Sequence, residues 1–303
     1  MIKTMVIHSG LALPGMSSLM NYMQIAATEN TIYTSPDASK IFCYTPSIIV
    51  TPTGRLIVSF DLGGEGVKSI EGHKSSRAGG SRFGQGKIFI SDDNGQKWTF
   101  VQNFPFWHAR LFTIGNSIYL IGHAGDICIM KSEDNGESWS DTYFLTHGEK
   151  WHSSACNVLF SNGNVYLAME QRCRLNEVTG WDVAGLSPTL FRACVEDNLC
   201  LASSWSRSEK FIYKEVFDGA KLDFFGIPFY DCETNKPKEI ATGINNAPLG
   251  WLEANVVKFV DKDHIWHTDL KEVFHLFLRA HTGGVNYAHL FKIEIQDDQS
   301  MIP

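Results

Sequence analysis

Ser91-Asp92-Asp93-Asn94-Gly95-Gln96-Lys97-Trp98 and Ser132-Glu133-Asp134-Asn135-Gly136-Glu137-Ser138-Trp139 are one motif written twice, 41 residues apart. Both read Ser-x-Asp-x-Gly-x-x-Trp, and both follow an apolar run, Lys87-Ile88-Phe89-Ile90 in one copy and Ile127-Cys128-Ile129-Met130 in the other. Such a run is a strand entering a tight turn. The Asp carboxylate accepts backbone N–H groups inside the turn, Gly takes a left-handed conformation, and Trp folds under the start of the next strand. Two such clips at a period of about 40 residues predict a β-propeller of four-stranded blades. The clips close hairpins on the side away from any site and carry no chemistry.

Working outward, each clip belongs to a set of four short apolar runs. In blade one Thr45–Val50 turns at Thr51–Gly54 into Arg55–Asp61; a polar, Gly-rich loop then leads to Lys87–Ser91 and Trp98–Gln102. Blade two repeats the scheme with Ala109–Ile114, Ser117–Gly122, Asp126–Ser132 and the second clip. Blade three uses Ser154–Phe160 and Asn164–Glu170, with an outer half at Leu190–Val195 and Phe211–Val216 and a degenerate clip at Ser203–Ser206. Blade four uses Trp251–Val257, Val273–Arg279 and Tyr287–Ile295, with an insertion at Asp261–Glu272 in place of its first turn. Residues 1–30 form an N-terminal segment without clear period, and Thr31–Thr34 is expected to be a strand that helps to close the ring. The propeller domain is assigned to residues 31–303, with about four blades recognisable.

The composition fits this reading. At 303 residues and 34.0 kDa the chain can bury a large core, and its 19% charged and 12% aromatic residues suit a strand-rich globular protein. A formal charge of −7 gives no reason to expect nucleic acid or an anionic membrane as partner. Seven cysteines, an odd number with no Cys-x-x-Cys spacing, read as reduced and buried thiols. The N-terminus is a poor signal peptide and no run approaches the ~18 apolar residues of a membrane span, so a cytoplasmic protein is expected.

Propeller geometry then sorts the polar residues. In every blade the first strand starts at the mouth of the channel and the second ends there, so residues before the one and after the other converge. Blade one brings Tyr44 and Asp61, with Glu65, His73, Arg77 and Arg82 on the following loop; blade two brings His108, Arg110 and His123. Blade three brings Trp151, His152, Glu170, Arg172 and Arg174, and blade four brings Trp251, Glu253, Arg279 and His281. Carboxylates for proton transfer, arginines for an acidic substituent and indoles for stacking are what a sugar site needs. A carbohydrate ligand is therefore expected. His108, His123 and His281 are read as structural or solvated, Trp151 and Trp251 as partly core, and Asp61 and Glu170 as either catalytic groups or anchors of loop amides or neighbouring arginines; His152, opposite Glu170 in the same blade, is retained. No His/Asp/Glu spacing suggests a metal, and no cofactor is expected.

The repeated turn resembles the Asp-box, or BNR repeat, of the sialidase superfamily. Further carriers are Thr45-Pro46-Ser47-Ile48 with its Gly54 turn, Gly163-Asn164-Val165-Tyr166 before Glu170, and Gly250-Trp251-Leu252-Glu253 leading to Leu278-Arg279. The resemblance covers residues 31–295 and implies a propeller that is six-bladed in the superfamily, so that roughly two blades are lacking here. An open ring would expose strand edges, for which pairing with a second copy is a remedy. The resemblance also implies hydrolysis of a glycan by a sialidase-like enzyme. Glu253 matches the family glutamate that activates a nucleophilic tyrosine, and Arg279 matches one of three arginines that hold the substrate carboxylate. The first arginine is replaced by Tyr44, and the third, with the tyrosine, would fall in the lacking blades. Asp61 is the nearest option for the acid/base aspartate. A site follows with Glu253 and either Glu170 or Asp61 as the carboxylate pair, His152 assisting, and Arg279, Arg110, Arg172, Tyr44, Trp151 and Trp251 binding the sugar. The alternatives are a glycan-binding propeller without catalysis and an inactive, truncated homologue.

Overall fold

The computed structural model describes residues 30–76, 83–152, 157–173, 185–210, 212, 250–258, 273–281, 286–295 and 300–302. These form four antiparallel sheets in chain order. In the first, β1 (Phe42–Val50), β2 (Leu56–Gly63), β4 (Phe83–Ser91) and β5 (Thr99–Phe104) pair in that order, with β3 (Ser75–Ser76) on β4. The second is β6 (Trp107–Ile114), β7 (Ser117–Ala124), β8 (Asp126–Ser132) and β9 (Tyr143–Phe144). In the third, β10 (Trp151–His152) and β11 (Val158–Ser161) both pair with β12 (Asn164–Arg172), which leads to β13 (Leu186–Cys194) and β14 (Trp205–Arg207). The fourth is β15 (Gly250–Val257), β16 (Val273–His281), β17 (Asn286–Ile295) and β18 (Met301–Ile302). The fold is an all-β propeller of four-stranded antiparallel blades.

The period-2 pattern of each second strand explains how the blades stack, since alternate side chains face opposite neighbours. In β2, Ile57 joins Leu111, Leu120 and Ile88 between blades one and two, whereas Val58 and Phe60 face the other way. In β12, Leu167 packs with Ile121 and Ile129 of blade two, while Tyr166 and Ala168 pack with Val256, Phe274 and Leu276 of blade four. The outward face of blade one is covered by Ile32 and Tyr33, whose ring lies 5.5 Å from Phe60 and 6.4 Å from Phe89.

The two repeated turns are built alike. The Ser91 hydroxyl accepts the Gly95 N–H at 2.9 Å, and Asp93 accepts the Lys97 N–H at 2.8 Å. Ser132 and Asp134 do the same for Gly136 and Ser138, at 2.9 Å each. In both copies the Asn-Gly pair takes left-handed φ, 57° and 81° in one and 61° and 86° in the other. Arg55 stitches the copies together. Its Nε and Nη2 donate to Asp92 at 2.6 and 2.9 Å, and Nη1 donates to the Asn135 carbonyl at 3.1 Å and to Glu137 at 3.2 Å.

Several expectations need correction. Thr31–Thr34 is not a strand, because its side chains pack on the face of blade one rather than its backbone pairing at an edge. Ser203–Ser206 is not a degenerate clip: a 3₁₀ turn at Ala202–Ser204 feeds β14, in which Trp205 pairs with Ala193. That makes β14 the outer strand of blade three, and the Phe211–Val216 strand lies almost wholly outside the described residues. Blade four has its fourth strand in β18, which sequence reading missed. Cys43 is an exposed thiol, while Cys128 and Cys200 are buried as expected. Arg77, Arg82, Arg174 and the 261–272 insertion lie outside the described residues. Among the described residues no helix is long and apolar enough to cross a membrane.

Candidate functional site

The end of each blade opposite the repeated turns has one register. Leu56 pairs with Ser91, which opens the first repeated turn, so the far end of β2 carries Asp61, opposite Tyr44. The matching pairs are Trp107 with His123, His152 with Glu170, and Leu252 with Arg279. Asp61, His123, Glu170 and Arg279 thus hold one structural position in four blades.

Immediately after this pair the first strand bulges, with register breaks at Tyr44/Ser47, Trp107/Arg110 and Leu252/Asn255. The bulge residues Thr45, His108 and Glu253 have φ of 49°, 52° and 61°. Left-handed backbone on a residue other than Gly costs ~1–3 kcal/mol and must be held by its surroundings. The equivalent stretch of blade three, residues 153–156, lies outside the described residues.

The holding groups come from neighbouring blades. Asp61 Oδ1 accepts the His108 N–H at 3.2 Å, so a carboxylate of blade one pins the bulge of blade two. Glu170 Oε1 accepts the Ala254 N–H at 2.7 Å, pinning the bulge of blade four from blade three. Lower on the same strands, the Ser47 hydroxyl accepts the Leu111 N–H at 3.0 Å, and Asn157 exchanges bonds with Asn255 and Val256.

Asp61 and Glu170 are therefore buried, at 0% and 1% exposure. Burial pushes the Asp61 carboxyl up to about 8, against the opposing pull of the His108 N–H and the Arg110 charge. Arg110 is itself buried, with Nη1 on the Ala109 carbonyl at 2.7 Å. Glu170 Oε2 lies 2.7 Å from His152 Nδ1. His152 belongs to a cluster of three imidazoles, its ring centroid 5.4 Å from His108 and 6.1 Å from His123, and His108 Nδ1 lies in hydrogen-bond contact with His123 Nε2 at 3.1 Å.

Glu253 differs from Asp61 and Glu170 in being open to solvent. Its oxygens both accept from Arg279 Nη1 at 3.0 Å, with about 40% of the Glu253 side chain and 36% of the Arg279 side chain exposed. Tyr44 is exposed as well and stands edge-on to Phe42. Arg172 ends β12 in a half-buried setting.

Trp151 and Trp251 have no ring face to offer a ligand. Both are fully buried, Trp151 against Phe191 at 5.2 Å and Trp251 within the core between blades three and four. The bulge explains the second case: one extra residue puts Trp251, Ala254 and Val256 on the same inward face and turns Glu253 out. His108 and His123, read from sequence as structural or solvated, belong to the cluster; the spacing of each from its strand end was the available signal. Among the described residues no group of His, Cys, Asp and Glu has a geometry that would hold a metal ion.

No protein-family model matches the chain, and no curated protein matches it. Solved structures do. An α-L-arabinofuranosidase from Lactobacillus brevis is 14% identical with a TM-score of 0.49, the match covering 89% of this chain and 79% of that one. An ulvan lyase of polysaccharide lyase family 25 is 16% identical, TM-score 0.46, over 84% of this chain and 56% of that one. The NanB sialidase of Streptococcus pneumoniae is 10% identical, TM-score 0.46, over 86% and 48%. This chain thus spans about half the length of the last two.

Proposed function

We propose that the protein is a sialidase-like glycoside hydrolase that cleaves an acidic sugar from a glycan at this mouth. The observation that carries the reading is that one register position delivers a carboxyl, an imidazole, a carboxylate and a guanidinium from four blades, beside the solvent-open Glu253. Arg279, with its planar fork, orients a carboxylate or vicinal hydroxyls. Glu253 is the carboxylate within reach of a substrate, and His152 supplies the second proton-transfer group that glycosidic cleavage needs. Water adds at the anomeric carbon as the glycosidic C–O bond breaks; one group takes the proton of the water and the other protonates the leaving oxygen. Asp61 and Glu170 are buried, and each accepts a backbone N–H from the neighbouring blade. With Tyr44 in place of an arginine, the preferred sugar need not be a sialic acid.

The imidazole cluster favours a second reading, elimination from a uronate-containing polysaccharide. A neutral imidazole removes the proton α to the uronate carboxyl, Arg279 balances the carboxylate charge, and the C4–O bond breaks with protonation of its oxygen. One experiment separates the readings. The wild type and Glu253→Gln are incubated with aryl glycosides, sialosides and uronate polysaccharides, and both reducing-sugar release and the ultraviolet absorbance of an unsaturated uronate are followed. Release without absorbance, abolished in Glu253→Gln, is the expected result. Absorbance establishes elimination, and sugar binding without either product leaves a non-catalytic glycan-binding propeller.

A further inference from the structure

Glu170 is a buried carboxylate, 1% exposed, with two unlike partners, and both of its oxygens are committed. Oε1 takes the N–H of Ala254, the residue that follows the left-handed Glu253. Oε2 takes His152 Nδ1. Resting on the hydrolase reading above, we infer that Glu170 is a positioning residue, which aims Glu253 and fixes the tautomer of His152 in a single stroke. A carboxylate can only accept, so the imidazole proton sits on Nδ1 and Nε2 keeps its lone pair for proton abstraction. The Ala254 N–H can only donate, so the Oε1 side of the arrangement cannot be reversed. Glu170 acts through two other residues, from beneath the mouth, and touches no substrate.

This assignment differs from a purely structural latch, such as the one Asp61 makes with the His108 N–H, because the imidazole has a second stable state. Glu170→Gln exposes the difference. Its amide has the shape of the carboxylate, its oxygen must still face the fixed Ala254 N–H, and its NH₂ group then points at His152 Nδ1. An N–H facing an N–H is untenable, and the imidazole is the partner that can change. Its proton moves to Nε2, the lone pair turns inward to Nδ1, and the base is lost while the fold and the Glu253 bulge are kept.

The test uses the full chain labelled with ¹⁵N-histidine, as wild type, Glu170→Gln and Glu170→Ala, at a pH where the imidazoles are neutral. Two-bond ¹H–¹⁵N correlations, assigned with His152→Gln, give the tautomer, and steady-state kinetics on the substrate found above give kcat and KM. The expected result for Glu170→Gln is a wild-type unfolding midpoint, a switch of His152 from Nδ1–H to Nε2–H, and kcat lower by on the order of 100-fold or more with KM little changed. Glu170→Ala loses both bonds, and both its unfolding midpoint and its turnover fall. A Glu170→Gln protein that keeps the Nδ1–H tautomer overturns the inference, whether or not kcat falls, and so does a switched tautomer with unchanged kcat. If the wild type turns over no glycan at all, the hydrolase reading fails, and the tautomer alone decides whether Glu170 sets the state of His152.

Discussion

The two ends of the same blades follow opposite rules. At the turn end, blades one and two repeat the same residues at the same places, and Ser91, Asp93 and Gly95 make the bonds that Ser132, Asp134 and Gly136 make. At the mouth end one position is occupied by Asp61, His123, Glu170 and Arg279, four side chains with nothing in common but polarity. A turn must satisfy its own backbone, and few residues can do that. A bulge pinned by the neighbouring blade is satisfied from outside: Asp61 and Glu170 do the pinning, and the bulge residue Glu253 is left open to solvent. Repetition marks where the chain closes hairpins, and diversity marks where it can do chemistry.

The division is most exposed to refutation at Trp251, a mouth-end residue assigned here to the core. Trp251→Ala is expected to cost about 3–5 kcal/mol in urea unfolding, as loss of a fully buried indole does; a loss below about 1 kcal/mol would return Trp251 to the list of sugar-stacking candidates. Next in size are the turn glycines, which differ between the copies. A Cβ on Gly136 would stand 2.4 Å from Ile57 Cδ1, whereas on Gly95 its nearest contact is Trp98 at 3.4 Å. Both variants carry left-handed strain, so Gly95→Ala should cost about 1 kcal/mol and Gly136→Ala about 2 kcal/mol or more. Equal costs would mean that the second turn is free to shift.

Asp61→Asn sharpens the comparison through pH. The Asp61 carboxyl titrates near 8 in the fold and near 4 in the unfolded chain, so between these values the unfolded state gives up a proton that the native state retains. Stability therefore falls as pH rises from about 4 to about 8. Asp61→Asn cannot ionise, so its stability should converge with that of the wild type below pH 4 and exceed it at pH 8. Unfolding curves at pH 4, 6 and 8 that shift in parallel for the two proteins would show Asp61 to be already ionised in the fold. The smallest effect belongs to Lys131 and Glu133, an ion pair with an exposed carboxylate at the turn end. Glu133→Gln should change stability by less than about 0.5 kcal/mol, with the difference vanishing in 0.5 M salt; a larger, salt-resistant loss would contradict a solvated pair.

What was legible in the sequence follows from the same division. The hairpin at Thr51–Gly54 could be read because glycine announces left-handed backbone between apolar runs, and Gly54 has φ of 88°. The bulges could not, because their left-handed residues are Thr45, His108 and Glu253, types that carry no such signal. A bulge inverts the facing of everything before it, and in β15 this is what turns the Trp251 indole into the core. Asp61 and Glu170 lie at the strand ends where the blade pattern puts them, but whether a carboxylate there meets substrate or a neighbour's N–H depends on the adjacent blade, tens of residues away in sequence. Thr31–Thr34 has the composition of a strand, yet a strand needs a free edge to pair with, and Tyr33 instead covers the Phe60 and Phe89 rings.

Arg55 gives the turn end a property that the hairpins lack alone. One guanidinium, 13% exposed, bonds Asp92 from the first repeated turn and both Asn135 and Glu137 from the second. Opening either turn breaks the bonds that Arg55 makes to it and leaves donors of a largely buried guanidinium unmet. In hydrogen-exchange terms, the amides bound to Ser91, Asp93, Ser132 and Asp134 are expected to lose protection together, and Arg55→Ala is expected to let the two turns open independently.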